Sequence, residues 1–352
     1  MDFRLRIVLV ALWLWMWSAS ASAALQGHVE SRSFLGPITG KTVTYNIYFP
    51  PAYSSSTDRY PVIYHLHGIN GSQGGQQNTT VPQVFEDAAA LGLIGPVIVV
   101  FPNGYGDSFW ADSIDGAKPA ETDVALQVIP HVDANFRTIA DPRSRIIQGF
   151  SMGGFGATKF YAKFPQLFGL CIEYDGALLT WQTIITRHPT QAQTIFGNSE
   201  SYFNQFSPHW WVNANRAALD RRYPVRMAVG ALLTENRSFR DYLLGLHLPI
   251  EYTETGCPHQ VPCLMTSEGV HSAAFIGGRL GRWNCPPDLT GDSVVDDADF
   301  VAFAAAYDVL DCSALPTNCP ADLSGDGRVD DADFTVFASA YAAFECENPS
   351  LP

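Results

Sequence analysis

The stretch Ile146-Ile147-Gln148-Gly149-Phe150-Ser151-Met152-Gly153-Gly154-Phe155-Gly156 decides the fold of this 352-residue chain. An apolar run leads into Gly-Phe-Ser-Met-Gly, and small, helix-compatible residues follow. This order predicts a strand, a sharp turn that carries Ser151, and a helix. Gly149 and Gly153 have no side chains, so the strand and the helix can approach each other closely. The turn would hold the Ser151 hydroxyl outside the sheet, where it becomes a nucleophile once a histidine takes its proton.

Apolar runs on both sides of this stretch predict a mostly parallel sheet covered by helices. The predicted strands are 42–49, 61–66, 96–101, 145–149, 168–174, 225–229 and 248–253, and the predicted helices include 81–93, 122–136 and 238–246. Dense apolar runs are typical of parallel strands that are buried on both faces. Strands that alternate with helices indicate right-handed crossovers and an α/β fold.

Ser151 requires an acid and a histidine further along the chain, in the order serine, acid, histidine. We expect the acid just after the strand that ends at Val229, which favours Glu235, with Asp241 as the alternative. We expect the histidine after the next strand, which favours His259 over His271.

An attacked ester carbonyl becomes an oxyanion, which needs preformed N–H donors. One donor would be the amide of Met152, directly after Ser151. The other would come from the loop His65-Leu66-His67-Gly68-Ile69-Asn70-Gly71, where Gly68 lets the backbone turn. The sequence therefore predicts the Ile69 and Met152 amides as an oxyanion hole.

These residues resemble a known family. His67-Gly68, Trp110, the 121–136 helix and Gly149-Phe150-Ser151-Met152-Gly153-Gly154 are similar to the esterase D / antigen 85 / feruloyl esterase group of α/β-hydrolases. The resemblance covers roughly residues 30–284. It implies an α/β-hydrolase fold, Ser151 as the nucleophile, the Ile69 and Met152 amides as the oxyanion hole, and a Glu or Asp with a His at the positions above.

Charge and hydropathy divide the chain into three parts. Residues 1–23 read as a signal peptide, with Arg4 and Arg6 before an apolar run and Ala21-Ser22-Ala23 as a cleavage site. Residues 24–284 form the predicted esterase domain. Residues 285–352 carry 12 Asp and two Glu against a single Arg, which accounts for −13 of the chain's net charge of −14. The sequence therefore predicts an exported protein without a membrane span, and no cluster of Lys and Arg suggests nucleic-acid binding.

The acidic tail is an internal repeat with a shift of 34 residues. Each copy has oxygen ligands at the spacing that calcium prefers, with a backbone carbonyl at the seventh position. The expected ligands are Asp288, Thr290, Asp292, Val294, Asp296 and Asp299 in the first loop, and Asp322, Ser324, Asp326, Arg328, Asp330 and Asp333 in the second. Aromatic residues after each loop fall on one helical face and could pair between the copies.

The tail resembles a dockerin, a pair of calcium loop–helix repeats that docks onto a cohesin partner. The resemblance implies a small all-α domain, structural calcium and a cohesin-like or cell-surface partner. Two departures stand out. Asp replaces Glu at the twelfth loop position, and Ser293 stands where the sixth-position glycine is expected, so the first loop should bind more weakly.

Seven cysteines agree with export. Cys257 and Cys263 bracket His259, and a disulfide there would brace its loop. Cys285–Cys312 and Cys319–Cys346 repeat a spacing of 27 residues, which suggests one disulfide in each repeat. Cys171 remains, and we expect it to be a buried free thiol.

Aromatic residues crowd the insertion between two later strands. They are Tyr202, Phe203, Phe206, Trp210 and Trp211. They could stack on an aromatic acyl group or a sugar, or they could simply pack the insertion onto the core.

Together these features predict a secreted serine carboxylesterase with a calcium-binding tail and no cofactor for catalysis. The expected substrates are carbohydrate esters, such as feruloyl or acetyl groups on xylan, or small esters. Two alternatives remain open at this point. One is an acyltransferase of the antigen 85 type, and the other is a catalytically silent binding or scaffold protein.

Overall fold

A computed structural model of the chain describes residues 25–219, 224–280, 287, 289, 295–307, 321–324 and 328–341. The predicted signal peptide, 1–23, lies outside the described residues.

One sheet of eight strands runs through the described part of the chain. The strands are β1 (His28–Leu35), β2 (Thr42–Phe49), β3 (Val62–Leu66), β4 (Ile98–Pro102), β5 (Arg145–Phe150), β6 (Leu170–Tyr174), β7 (Val225–Val229) and β8 (Ile250–Glu254). Their order in the sheet is β1-β2-β4-β3-β5-β6-β7-β8. The β1–β2 and β2–β4 pairs are antiparallel, and the other pairs, from β4 to β8, are parallel. The predicted, mostly parallel sheet is confirmed.

Helices cover both faces of this sheet. They are α1 (Gln77–Ala90), α2 (Ala120–Thr122), α3 (Ile129–Asn135), α4 (Met152–Lys163), α5 (Trp181–Arg187), α6 (Pro189–Thr194), α7 (Glu200–Asn204), α8 (Pro208–Ala214), α9 (Arg216–Leu219), α10 (Leu233–Gly245) and α11 (Val261–Gly277). The side chains of neighbouring residues in a strand point to opposite faces of the sheet. Ile146 packs into the core on the side of α1 and α11, while Ile147 packs into the core on the side of α4.

Two elements differ from the sequence-based expectation. Strand β1 was not predicted, because His28, Glu30 and Arg32 give it little apolar alternation and its side chains are mostly exposed at the sheet edge. The predicted 122–136 helix is continuous but not uniform, since a turn of π-helix (Asp123–Val128) separates α2 from α3.

The parallel strands bring the site together. β3, β5, β6, β7 and β8 all point the same way, so their carboxyl ends meet at one edge of the sheet. In open α/β sheets this edge is where ligands bind. The loops that follow β3, β5 and β8 carry Ile69, Ser151 and His259.

Two further helices, α12 (Asp297–Tyr307) and α13 (Asp331–Tyr341), belong to the tail. The rings of Phe303 and Phe337 stack with centroids 5.0 Å apart, so the two repeats pair through their aromatic faces as the pattern predicts. The pairing is reciprocal, because the Tyr307 hydroxyl donates to Asp331 and the Tyr341 hydroxyl donates to Asp297. Among the helices described, none is long and apolar enough to cross a membrane.

Candidate active site

The sharp turn that the sequence predicts at Ser151 is present, and its backbone is strained. Ser151 adopts φ +58° and ψ −119° between β5 and α4, a backbone conformation that is costly for a residue with a side chain. A Cβ on Gly149 would lie 2.1 Å from the Gly153 carbonyl oxygen, and one on Gly153 would lie 1.9 Å from the Leu66 carbonyl oxygen. Both positions therefore require glycine, and the close packing holds the turn in place.

The structure brings His259 to Ser151. His259 lies in the loop after β8, as expected, and its Nε2 is 2.8 Å from the Ser151 Oγ. The imidazole packs against the ring of Phe150, with centroids 4.5 Å apart. The disulfide between Cys257 and Cys263 is formed and brackets this loop, so that predicted pairing is confirmed.

The acid beside His259 is Asp175, not Glu235. The Asp175 Oδ2 lies 2.6 Å from the His259 Nδ1. Asp175 follows β6, one strand earlier than expected, in the sequence Glu173-Tyr174-Asp175-Gly176. The expectation placed the acid after β7, whereas the side chain of a residue after β6 can reach across the neighbouring end of β7.

Hydrogen bonds from the next loop hold the Asp175 carboxylate. The amides of Gly230, Ala231 and Leu232 donate to it at 2.9–3.0 Å. Burial by itself would raise the pKa of Asp175, but the hydrogen bonds from His259, Leu232 and Gly230 outweigh burial and leave the pKa below its usual value. Asp175 is therefore ionised at neutral pH and can only accept. The His259 Nδ1 must then carry the proton, which leaves Nε2 free to accept the Ser151 hydroxyl.

A second carboxyl group, Glu173, lies buried beneath this turn. Burial, together with the charge of Asp175, raises the pKa of Glu173 well above its usual value. Glu173 accepts a hydrogen bond from the Gly176 amide, while its other oxygen has no hydrogen-bond partner among the described residues. The two carboxyl groups are thus tuned in opposite directions by their surroundings.

The other candidates from the sequence lie elsewhere. Glu235 is on α10 and pairs with Arg187. Asp241 is 64% exposed in its side chain and pairs with Arg240, its neighbour in sequence. His271 is on α11, with a side chain 72% exposed. None of these three hydrogen-bonds to Ser151 or His259 among the contacts of the described residues, and Glu235 is therefore corrected to Asp175 as the partner of the imidazole.

The loop after β3 is braced as an oxyanion-binding loop would need to be. The His67 Nε2 accepts the Gly104 amide at 2.9 Å, so Nδ1 carries the proton and donates to the Gly68 carbonyl at 2.8 Å. Burial lowers the pKa of His67 to about 4, which keeps the imidazole neutral. The Asn70 amide donates to the Gly106 carbonyl at 2.7 Å. These bonds fix the backbone around Ile69 next to the cleft.

Trp110, which helps to carry the family resemblance, is part of the same support. It is completely buried, and its Nε1 donates to the His67 carbonyl at 3.2 Å. A Cβ on Gly156 would lie 2.6 Å from the indole, so α4 packs directly on the ring. Trp110 thus connects the loop after β3 to the helix that begins at Met152.

Ser151 and His259 line a cleft of about 200 Å³. Its walls are mostly apolar and include Ile69, Met152, Phe109, Ala177, Leu179 and Leu232. The pair of Arg187 and Glu235 is the charged part of the lining. The cleft can hold an acyl group against apolar side chains, with its carbonyl near the Ser151 hydroxyl and the Ile69 and Met152 residues.

The aromatic residues of the insertion divide into two kinds. Phe203 and Phe206 are buried in the core, the Tyr202 hydroxyl donates to the Asp112 carbonyl, and the Trp211 Nε1 donates to the Gln205 carbonyl. These four serve packing. Trp210 is 53% exposed.

The remaining cysteine and tail predictions stand as follows. Cys171 is a buried free thiol, as expected. Cys285, Cys312, Cys319 and Cys346 lie outside the described residues, as do Asp288, Thr290, Asp292, Val294 and Asp326 of the calcium loops.

The tail residues that the structure describes sit around the helix starts. Asp299 and Asp333 are fully buried and accept the amides of Asp296 and Asp330. Asp333 also accepts the Ser324 amide. Calcium binding and the dockerin assignment stay predictions.

Curated relatives share part of this chain. An esterase of Mycobacterium tuberculosis (strain H37Rv) is 36% identical over 135 residues, which cover 37% of this chain and 28% of that protein. An endo-1,4-beta-xylanase/feruloyl esterase of Xylanibacter ruminicola is 32% identical over 155 residues, which cover 41% of this chain and 21% of that protein. The chain thus matches less than a third of the length of either relative.

Solved structures share the fold. A ferulic acid esterase superposes with a TM-score of 0.61 at 19% identity, covering 72% of this chain and 98% of that one. An S-formylglutathione hydrolase of Agrobacterium tumefaciens gives 0.60 at 17% identity, covering 73% and 97%. At these identities the likeness concerns the fold, and it confirms the predicted α/β-hydrolase architecture.

The family model described as "Putative esterase" matches residues 36–230, more than half of the 352 residues. The match includes the turn at Ser151 and the turn at Asp175, and it ends before His259. The chain therefore belongs to this esterase family.

Proposed function

We propose that this protein is a secreted serine carboxylesterase that works through an acyl-enzyme on Ser151. His259 is the base, and Asp175 is the carboxylate that orients it. The observation that carries the proposal is the continuous hydrogen-bonded line from Asp175 through His259 to Ser151, at the mouth of an apolar cleft. Serine, histidine and carboxylate in this order are the groups that acyl transfer requires.

The geometry supports a two-stage reaction. The Ser151 Oγ attacks the ester carbonyl while its proton passes to the His259 Nε2. The carbonyl oxygen becomes an oxyanion beside the Ile69 and Met152 amides. When the intermediate collapses, the C–O bond to the alcohol breaks and His259 returns the proton to that alcohol. Water then attacks the acyl-enzyme by the same route and releases the acid, while Asp175 stabilises the imidazolium in both stages.

The proposed substrates are esters of plant cell-wall polysaccharides, with feruloyl or acetyl groups on xylan. Two points support this choice. The cleft has apolar walls suited to an aromatic or short acyl group. One relative, the Xylanibacter ruminicola protein, carries the name of a xylanase and feruloyl esterase.

A panel of methyl ferulate, acetylated xylan and p-nitrophenyl acetate tests the activity. We expect hydrolysis by the wild-type chain, and a loss of about three orders of magnitude in kcat for Ser151→Ala and His259→Ala. His271→Ala is the matched control and should keep wild-type activity. Full activity of Ser151→Ala would refute the acyl-enzyme. Transfer of the acyl group to added xylo-oligosaccharides in preference to water would instead assign an acyltransferase.

We further propose that the tail binds calcium and anchors the enzyme to a cohesin-like or cell-surface partner. Crowded carboxylates repel one another unless a dication lies between them, so binding and ordering of the loops should be coupled. The second loop has Gly327 at its sixth position, where the first has Ser293, so the second should bind more tightly.

Titration of the full-length protein with calcium tests the tail. We expect two sites, the tighter one weakened by Asp322→Asn and the other by Asp288→Asn, while Asp241→Asn leaves both unchanged. Chelation with EDTA should leave p-nitrophenyl acetate hydrolysis unchanged, since the triad and cleft lie within the sheet domain. No calcium uptake at millimolar concentration would reduce the tail to an acidic spacer.

A further inference from the structure

A second depression of about 280 Å³ lies on the insertion helices, apart from the cleft. It shares no lining residue with the cleft at Ser151. Residues of α5, α7, α8 and α10 line it, and it is open to solvent. Neither the triad nor the cleft uses it.

Two helices run from the cleft to this depression. Arg187 of α5 and Glu235 of α10 line the cleft, whereas Trp181 of α5 and Tyr242 of α10 line the depression. On α5, Trp181 lies six residues from Arg187, and on α10, Tyr242 lies seven residues from Glu235. Each separation corresponds to about 10 Å along the helix. A chain-like ligand whose ester group lies in the cleft could therefore extend into the depression.

Trp210 gives the depression an aromatic surface that the core does not need. Its neighbours Phe203 and Phe206 are buried, and Trp211 is held by its hydrogen bond and by Lys163, whose ammonium lies 5.1 Å from the ring. Trp210 instead exposes 53% of its surface and lines the depression. A large apolar ring that stays in contact with water is a common feature of binding surfaces.

The polar lining is neutral apart from one carboxylate. It includes the amides of Asn204 and Asn213 and the hydroxyl of Thr180, with Glu200 as the charged member, and no Lys or Arg is among the described residues that line it. His209 also contributes, and burial lowers the pKa of its imidazole to about 4, which keeps it neutral. Such a surface disfavours phosphates and other anions, which need cationic donors. It also disfavours a purely apolar chain, which would cover the amides without giving them hydrogen bonds.

From these observations we infer that the depression binds a neutral pyranose unit of an oligosaccharide chain. The apolar face of the sugar ring would stack on Trp210, and its hydroxyl groups would exchange hydrogen bonds with the amides of Asn204 and Asn213. The sugar would belong to the polysaccharide that carries the ester, so this part of the inference rests on the proposed function. Trp210 would then position a polymeric substrate without touching the reacting atoms.

Calorimetric titration of the full-length protein with xylohexaose and with cellohexaose tests the inference directly. We expect binding of at least one of them, weakened about tenfold by Trp210→Ala, the order expected for loss of one aromatic stacking partner. Trp210→Phe should retain most of the affinity, because a ring remains. The control is Leu244→Ala, which changes a half-exposed apolar residue of α10 that does not line the depression. It should bind like the wild type.

Kinetics separate this inference from the proposed function. For Trp210→Ala we expect unchanged kcat/KM on p-nitrophenyl acetate and a severalfold higher KM on acetylated or feruloylated xylan. Neither oligosaccharide binding at millimolar concentration, or equal binding by wild type and Trp210→Ala, would overturn the inference even if the esterase activity is present. An inactive wild-type chain would refute the proposed function, while the titrations would still decide whether the depression binds sugar.

Discussion

The two sides of the Ser151–His259–Asp175 line are held by different forces. On one side, steric contact fixes the turn at Ser151, because Gly149 and Gly153 leave no room for even one methyl group. On the other side, hydrogen bonds fix Asp175, through three amides of the following loop and the imidazole. Close packing is indifferent to pH, whereas the carboxylate side depends on which groups are ionised. The two sides should therefore fail in different ways.

Removing the charge on the carboxylate side should have the largest effect. Asp175→Asn keeps one oxygen for the Gly230 and Leu232 amides, leaves the Ala231 amide without its acceptor, and no longer favours the Nδ1–H tautomer of His259 or stabilises the imidazolium. We expect kcat on p-nitrophenyl acetate to fall by roughly three orders of magnitude. The thermal unfolding temperature should also fall, because a partly buried amide loses its acceptor. A larger loss for Glu235→Gln than for Asp175→Asn would show that the acid is misassigned.

Adding one methyl group should break the steric side. In Gly153→Ala the new Cβ would lie 1.9 Å from the Leu66 carbonyl oxygen, so the strand and the helix must separate. We expect a destabilisation of about 3 kcal/mol or more, with loss of activity at every pH. Denaturant unfolding measures it, and Gly95→Ala is the control, because a Cβ there meets nothing within 4 Å. Equal stability of the two variants would argue against the steric account.

The buried Glu173 should make stability depend on pH. Its folded pKa is raised above the ordinary value of 4.5, so as pH rises beyond 4.5 the unfolded chain loses this proton before the folded chain does. The folded state then holds more protons, and its contribution to stability declines as pH increases. We expect the unfolding temperature of Glu173→Gln, relative to wild type, to increase from pH 4 to pH 8. A difference that is constant across this range would mean that Glu173 is ionised in the folded state.

The smallest effect should come from Glu235, which lines the cleft but does not contact His259. We expect Glu235→Gln to change kcat/KM on p-nitrophenyl acetate by less than about fivefold, since it loses only a partly exposed ion pair with Arg187. Asp241→Asn, which changes an exposed acid further along α10, serves as the control. Steady-state kinetics of the three acid variants, with Asp175→Asn, would rank the carboxylates directly.

The same contrast explains what could be predicted from the sequence. The turn at Ser151 could be predicted because a short run of adjacent residues determines it. Strands β2 and β7 have the bounds that their apolar patterns predict. His259 followed from its place after the last strand of the sheet. The edge strand β1 was missed, because an exposed strand has no apolar alternation to reveal it.

The acid could not be found in the same way, because its place depends on contacts between distant loops. Asp175 reaches His259 across 84 residues and is held by amides that any residue types would supply. A signal was nevertheless present, since Asp175 directly follows an apolar strand and precedes Gly176. Asp175 also satisfies the order serine, acid, histidine, and it was missed because the acid was expected after the strand that ends at Val229.

The placement of Asp175 directly after β6 also separates two roles that one loop could have served together. The loop after β7 gives Asp175 only backbone amides, which no substitution by a residue other than proline removes. The side chains of Leu232 in this loop and of Glu235 in the first turn of α10 line the cleft and do not hydrogen-bond to His259 among the described contacts. The wall of the cleft can therefore vary in evolution or in the laboratory while the charge behind the imidazole stays in place, and substrate preference becomes adjustable independently of catalytic power.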